Sequence, residues 1–304
     1  MRRLVEGCYV VDVYGDFYAV KGLIQPPGRV YAVPRMVNNA KLKNFDEAWM
    51  FVERHRPEYL FDDVYTGRKT IAVPEKSILR RLYPTKKPEG PPALAKAAEE
   101  LAEHLERAGL DWGFSGSLLT SHADESSDID LVVYGDELKA YEEIKRLRRD
   151  GLTEPVSGKA LETVLRSRRD SVKAREMAEA ERRKFLTGVF NGFLYTMKIV
   201  PQTFWESWEE TRCIPLKHHA AVVKVVDDSL SFCTPGRYLV EVFEGEDVRE
   251  IIFFRSRFAE MAGKNEKARV RGMLEKVVKK NGSYLRLNVG LDREDYIEVG
   301  GFSD

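Results

Sequence analysis

Two carboxylates spaced two residues apart are the groups in this chain best placed to do chemistry. They lie in Asp128-Ile129-Asp130-Leu131-Val132-Val133-Tyr134, which reads as a strand. Side chains at i and i+2 of a strand point to one face, so Asp128 and Asp130 project together while Ile129 and Leu131 take the other face. Two adjacent carboxylates repel unless positive charge comes between them. A hard divalent cation, Mg²⁺ or Mn²⁺, suits such a pair, because it takes a few carboxylate oxygens and completes its shell with water and substrate phosphates. Upstream stands Gly116-Ser117, ahead of a ten-residue spacer rich in serine and acid. Gly116 lets backbone approach closely, and Ser117 can cap a helix over 118–121. That helix start is expected to cradle phosphate.

This combination resembles the nucleotidyltransferases of the DNA polymerase beta superfamily. Their pattern is an apolar residue, Gly, Gly or Ser, a spacer of about ten, and Asp-apolar-Asp-apolar. Gly116, Ser117, Asp128, Ile129, Asp130 and Leu131 fit it, and Ser115 departs from it by standing where an apolar residue is usual. The resemblance implies that Asp128 and Asp130 hold the metal and that Gly116 and Ser117 cradle a nucleoside triphosphate. It also implies a third carboxylate on a later strand. The segment 188–201, with the hairpin signal Asn191-Gly192, resembles the region of archaeal CCA-adding enzymes in which an Asp lies three residues before a Pro. Here Lys198 occupies that position. A lysine there is expected to contact a phosphate or to replace one metal. Asp124 and Glu125 are the alternative carboxylates.

The rest of the chain must position these groups. Strand patterns over 9–13, 17–24 and 29–36, broken by Gly15-Asp16 and Pro26-Pro27-Gly28, predict an antiparallel meander. A helix over 47–55, a strand over 69–73 and a helix over 78–82 follow. The string V-K-G-L-I-Q-P-P-G-R-V at 20–30 resembles the N-terminal region of a family of predicted archaeal nucleotidyltransferases. The Pro-rich stretch 84–92 reads as a linker. A helix over 93–108, stopped by Gly109, leads into a strand over 112–115. Helices are expected over 137–149, 159–167 and 171–186. Between 145 and 184 there are 13 Lys and Arg against 7 Asp and Glu, a basic surface laced with i,i+4 pairs. From 216 onward the pattern turns to strands and resembles a small β-barrel, with the OB type as one form of it. Between 249 and 286 there are 11 Lys and Arg against 4 acids, interleaved with Phe253, Phe254, Phe258 and Tyr284. Such interleaving suits single-stranded nucleic acid, and burial of some of these rings is the competing reading.

Lys plus Arg and Asp plus Glu are both 49, so no global field singles out nucleic acid. The three cysteines show no C-x-x-C spacing, which fits a reducing compartment and argues against zinc. No apolar run spans a bilayer, so the expectation is a cytoplasmic protein without a membrane partner. The fold expected is α+β in three parts: an N-terminal β-rich module (1–88), a nucleotidyltransferase-type mixed sheet with helices (89–215) and a C-terminal barrel (216–304). The function expected is transfer of a nucleoside monophosphate from an NTP to a hydroxyl, on RNA for instance, with release of pyrophosphate. The alternatives are a nucleotide- or RNA-binding protein on an impaired transferase fold, and a protein AMP-transferase.

Overall fold

A computed structural model describes residues 3–42, 44–167 and 178–300. The architecture is α+β, with three sheets and few helices. The first sheet comprises β1 (Tyr9–Asp12), β2 (Phe17–Val20), β3 (Arg29–Val37), β4 (Ala40–Lys41), β5 (Leu60–Asp63), β6 (Arg68–Pro74) and β7 (Ile78–Leu82). Its order is β5-β6-β3-β2-β1-β7, with β4 folded back on β3 and helix α1 (Phe45–His55) inserted before β5. The helix expected over 78–82 is β7 instead. A single 3-10 turn at Glu75–Ser77 precedes it, and β1 offers a free edge that β7 fills, with Val10 opposite Arg81 and Val11 opposite Arg80. Pairing with an open edge outweighs a weak helical preference.

The central unit begins with helix α2 (Pro92–Arg107). Proline stands at its first position and Leu94, Ala97, Ala98, Leu101, Ala102 and Leu105 form its buried stripe. There follow β8 (Asp111–Phe114), α3 (Gly116–Thr120), β9 (Ile129–Tyr134), α4 (Glu137–Arg149), α5 (Gly158–Ser167), α6 (Ala178–Arg183), β10 (Thr187–Phe190) and β11 (Phe193–Val200). Part of the helix expected over 171–186 lies outside the described residues. The sheet order is β10-β11-β9-β8; β9 and β11 run parallel and the other pairs antiparallel. Asn191 and Gly192 both take positive φ, 47° and 83°, and close the β10–β11 hairpin as their types require. Along β9, Ile129, Leu131 and Val133 enter the core with α2 and α4. On the opposite face, Val132, Tyr134 and Val200 pack against Leu23 of the first unit. The 84–92 stretch is a fitted strap rather than a free linker. Thr85 exchanges both backbone hydrogen bonds with Phe114 (3.2 and 2.7 Å), and Pro84 lies directly on Gly113.

The last unit comprises β12 (Arg212–Leu230), β13 (Gly236–Glu244), β14 (Val248–Phe253), β15 (Lys267–Lys279), β16 (Gly282–Val289) and β17 (Tyr296–Val299). The boundary expected at 216 falls inside β12. Bulges bend this 19-residue strand and let it pair with both β13 and β15. The pairings run β12-β13-β14-β16-β15 and return to β12, with β17 outside β15. One hydrophobic cluster runs from α2 and the central sheet into these strands, so the second and third units share a core. Among the described residues no helix is long and apolar enough to cross a membrane.

Candidate functional site

The backbone at Ser115-Gly116 lies against Asp130. Ser115 N–H donates to the Asp130 carbonyl at 3.0 Å. Gly116 has φ +57°, and a Cβ added there would fall 2.0 Å from Asp130 Oδ2. Only glycine fits, both for the backbone conformation and for the carboxylate beside it. Helix α3 starts two residues earlier than expected, with Ser115 at its N-cap position. Ser117 therefore lies inside the helix, and its carbonyl accepts from His122 N–H at 3.1 Å. The Ser115 hydroxyl turns away and donates to the Gly7 carbonyl at 2.8 Å.

Asp128 stands just before β9, and Asp130 is the second residue of that strand. Both are half-buried. Among the described residues neither carboxylate has a hydrogen-bond or ion-pair partner. Burial, and next the Asp128 charge, push Asp130 up to about 7, against the downward pull of Lys198, Lys41 and Arg35. A carboxylate pair held unpartnered in this way calls for positive charge. Asp124 does not join them. Its Oδ1 accepts from Ser126 N–H and from the Ser126 and Ser127 hydroxyls, which folds the spacer into a local turn.

Lys198 shares the face of Asp130. In the parallel β9–β11 ladder Thr196 is opposite Asp130, and Lys198 is opposite Val132. Its Nζ reaches Glu6 Oε1 at 3.0 Å, and Lys21 Nζ reaches the same oxygen at 3.3 Å. Glu6 Oε2 accepts from Gly22 N–H at 3.2 Å. Burial alone would raise Glu6, but Lys21 and Lys198 outweigh it and hold the carboxyl below its ordinary value. Burial dominates at Lys21 and brings it down to about 8, so it is still charged at neutral pH. At Lys198 burial is outweighed by Glu6 and Asp130, which keep the ammonium above its ordinary value. Lys198 thus pairs with a fully buried glutamate and carries a favourable interaction with Asp130. Glu6 itself is turned toward the two lysines.

Sequence reasoning missed everything that the first unit brings to this site. Gly7 packs on Val132, Tyr134 Oη donates to the Glu6 carbonyl at 2.9 Å, and the Phe17 ring meets His122 edge-on at 4.8 Å. Glu6 and Lys21 thereby reach Lys198, and the charges of Arg35 and Lys41 act on Asp130. Lys21 falls in the string at 20–30, but nothing there ties it to the aspartates, and the other three sit in no local motif.

The donor set suits a cation such as Mg²⁺ whose shell is completed by water and phosphate oxygens. Among the described residues no group of three or more His, Cys, Asp or Glu side chains gathers as a cation site. A hollow of about 430 Å³ lies elsewhere, lined by Tyr141, Lys145, Arg183, Phe232 and Glu260 among others, and no motif residue borders it. The aromatics expected to face nucleic acid are largely internal. Phe253 and Phe258 are buried in the core, Phe254 packs toward Gly22 and Phe204, and Tyr284 donates to Glu250.

The chain is similar to an archaeal protein over nearly the full length of both. It is 27% identical to the uncharacterized protein MJ1086 of Methanocaldococcus jannaschii over an alignment of 331 positions, which covers 96% of this chain and 97% of that one. No family model matches the chain, and no solved structure matches it.

Proposed function

We propose that this protein is a metal-dependent nucleotidyltransferase of the polymerase beta type, moving a nucleoside monophosphate from an NTP to a hydroxyl. The observation that carries the reading is the unpartnered pair Asp128 and Asp130, with Gly116 pressed on the second carboxylate. In the reaction the acceptor oxygen bonds to the α-phosphorus, the bond from that phosphorus to the β-phosphate oxygen breaks, and pyrophosphate leaves with the displaced electron pair. A bound Mg²⁺ supplies neutralisation of the phosphate charge and activation of the attacking hydroxyl. Asp128 and Asp130 would hold it. The α3 start at Gly116 would face the triphosphate, and Lys198 adds a fixed positive charge on the same face of the sheet as Asp130. The hydroxyl proton passes to water.

We read the ring of C-terminal strands as a small OB-like barrel, with RNA as the acceptor class such a unit would present. Lys198 favours a second reading, a nucleotide-binding protein that has lost transfer, because a two-metal clamp needs a further carboxylate. Calorimetry with ATP and Mg²⁺, paired with incubation of α-labelled NTPs and total RNA, separates the two. Wild type is expected to bind ATP and to label RNA, and Asp128→Asn/Asp130→Asn is expected to do neither while keeping its fold. Binding without labelling would favour the second reading. Equal ATP affinity in wild type and the double variant would overturn both.

A further inference from the structure

We infer that Trp205, Arg237, Arg249, Lys279 and Tyr284 form a surface that binds single-stranded RNA. The inference rests on the proposed transfer to RNA for the choice of RNA over DNA. The surface itself lies outside the Asp128/Asp130 motif.

The side chains form one connected patch on the C-terminal strands. Val248 and Ile251 of β14 and Leu287 of β16 enter the core, which leaves Glu250, Tyr284 and Arg286 on the other face. The β14–β16 pairing is irregular between Val248 and Glu250, and this lets Arg249 share that face. Tyr284 Oη donates to Glu250 at 2.9 Å, and Arg237 reaches Glu250 at 3.8 Å. The Arg237 guanidinium lies 4.8 Å over the Trp205 ring. Lys279 Nζ donates to the Trp205 carbonyl at 3.1 Å and lies 5.9 Å from the centre of the Tyr284 ring. Trp205, Arg237, Glu250, Tyr284 and Lys279 therefore close a ring of contacts, and Arg249 joins it 5.3 Å over Tyr284.

Charge and exposure select the partner. Arg249 is exposed, and Trp205 and Tyr284 are half-buried. Against three cations the patch sets Glu250, which is 2% exposed and shared with Arg286 at 3.8 Å. Glu206, next in the chain to Trp205, is turned inward onto Arg286 and Tyr65. Among the described residues Trp205 Nε1 is buried without an acceptor, although a buried indole usually finds one, so the ring is held through its faces. Cations interleaved with rings complement a strand whose phosphates alternate with unpaired bases. An acidic protein would use the charges and leave the rings idle, and a duplex hides its base faces.

The patch is also joined to the central sheet. The Phe204 ring is 4.4 Å from that of Trp205 and packs against Leu23 and Val200. Val200 ends β11, the strand that sets Thr196 opposite Asp130. The chain from Thr196 to Trp205 can span at most about 32 Å, so a strand held on the patch is within that reach of the aspartates.

The test is fluorescence anisotropy of the full-length protein with a labelled single-stranded RNA of about 12 nucleotides over a range of salt, beside the same sequence as single-stranded DNA and as duplex RNA. Wild type is expected to bind the single-stranded RNA most tightly. Arg249→Ala/Lys279→Ala is expected to lose about tenfold in affinity and to lower the salt slope by about 1.4, as two lost phosphate contacts would. Trp205→Ala is expected to lose about tenfold as well, with Trp205→Phe within about threefold of wild type. Arg249→Ala alone, at an exposed position, keeps the test open should either of the larger changes unfold the protein, and its slope is expected to fall by about 0.7. No RNA binding by wild type, or wild-type affinity and slope in the cation variants, would overturn the inference. Equal or tighter binding of the duplex or of the DNA would overturn it too, since the surface would then serve another polyanion. The transferase reading is judged apart, by ATP affinity in wild type and in Asp128→Asn/Asp130→Asn. RNA binding that depends on this patch in a protein that binds no ATP would keep the surface and sink that reading.

Discussion

Glu6 sits at the point where the chemistry and the fold depend on each other. Its carboxylate is 1% exposed and holds Lys21 and Lys198 together. Removing one partner of a buried pair leaves the others uncompensated, though Lys21 and Lys198 keep about a quarter of their surface in water. Glu6→Gln is therefore expected to cost about 2–3 kcal/mol at pH 7, less than a fully enclosed pair would. The sign of the pH dependence follows from the lowered carboxyl. Its contribution is present above its ordinary value of 4.5 and is lost as pH falls through the depressed folded value. Urea titrations should show the gap between wild type and Glu6→Gln open at pH 7 and closing below about pH 4. The same geometry makes Lys198→Asp costly, since the new carboxylate would face Glu6 with Lys21 left as the one cation of the pair.

At the scale of elements, the crossing of α3 and β9 fixes the aspartates. The clearance at Gly116 is set by backbone on one side and the Asp130 carboxylate on the other. Gly116→Ala must both strain a φ of +57° and displace Asp130. It is expected to abolish Mg²⁺-dependent ATP binding in calorimetry, at a stability cost of about 1–3 kcal/mol. Unchanged ATP affinity would show that Asp130 has no part in binding.

This is also the scale at which the sequence was most legible. The stripe Leu94, Ala97, Ala98, Leu101, Ala102 and Leu105, the Asn191-Gly192 turn and the alternation along β9 are local patterns, and the chain folds as they indicate. Ile78–Leu82 was not legible, because its conformation is set by the free edge of β1 rather than by its own residues. The 84–92 stretch reads as a linker from its prolines, yet Pro84 fits the gap that Gly113 leaves. Of the candidate site, the Gly-Ser and Asp-x-Asp residues were visible because their spacing is short. Glu6, Lys21, Arg35 and Lys41 were not, because nothing local ties a residue to a partner far along the chain.

For the whole molecule, the N-terminal unit joins both of the others. Tyr65 and Gly67, in the β5–β6 turn, lie against β12: Cys213 N–H donates to the Tyr65 carbonyl at 2.7 Å, and a Cβ on Gly67 would meet the Cys213 carbonyl at 2.3 Å. Behind them is a buried network. Arg286 pairs with Glu206 and with Glu275 at 2.8 Å, Tyr65 Oη donates to Glu206, and Arg68 reaches Glu275 at 3.2 Å. Arg286→Met would leave Glu206 and Glu275 short of their central cation in the interior. The expected loss is about 3–5 kcal/mol, read as a lower urea midpoint. A loss below about 1 kcal/mol would mean that the network relaxes without it.

The Glu6–Lys198 pair spans 192 positions, and this bears on how the protein is made. On the ribosome the first β-unit emerges long before β11, at a stage when Glu6 has only Lys21 to hold it. The surface that will cover Val132 and Val200 waits in water meanwhile. Closing so long a loop costs only slowly growing entropy, but no nascent chain can close it until Val200 has cleared the exit tunnel. The part synthesised first is therefore among the last to reach its final energy, and Lys198 meets Glu6 only at that late docking step.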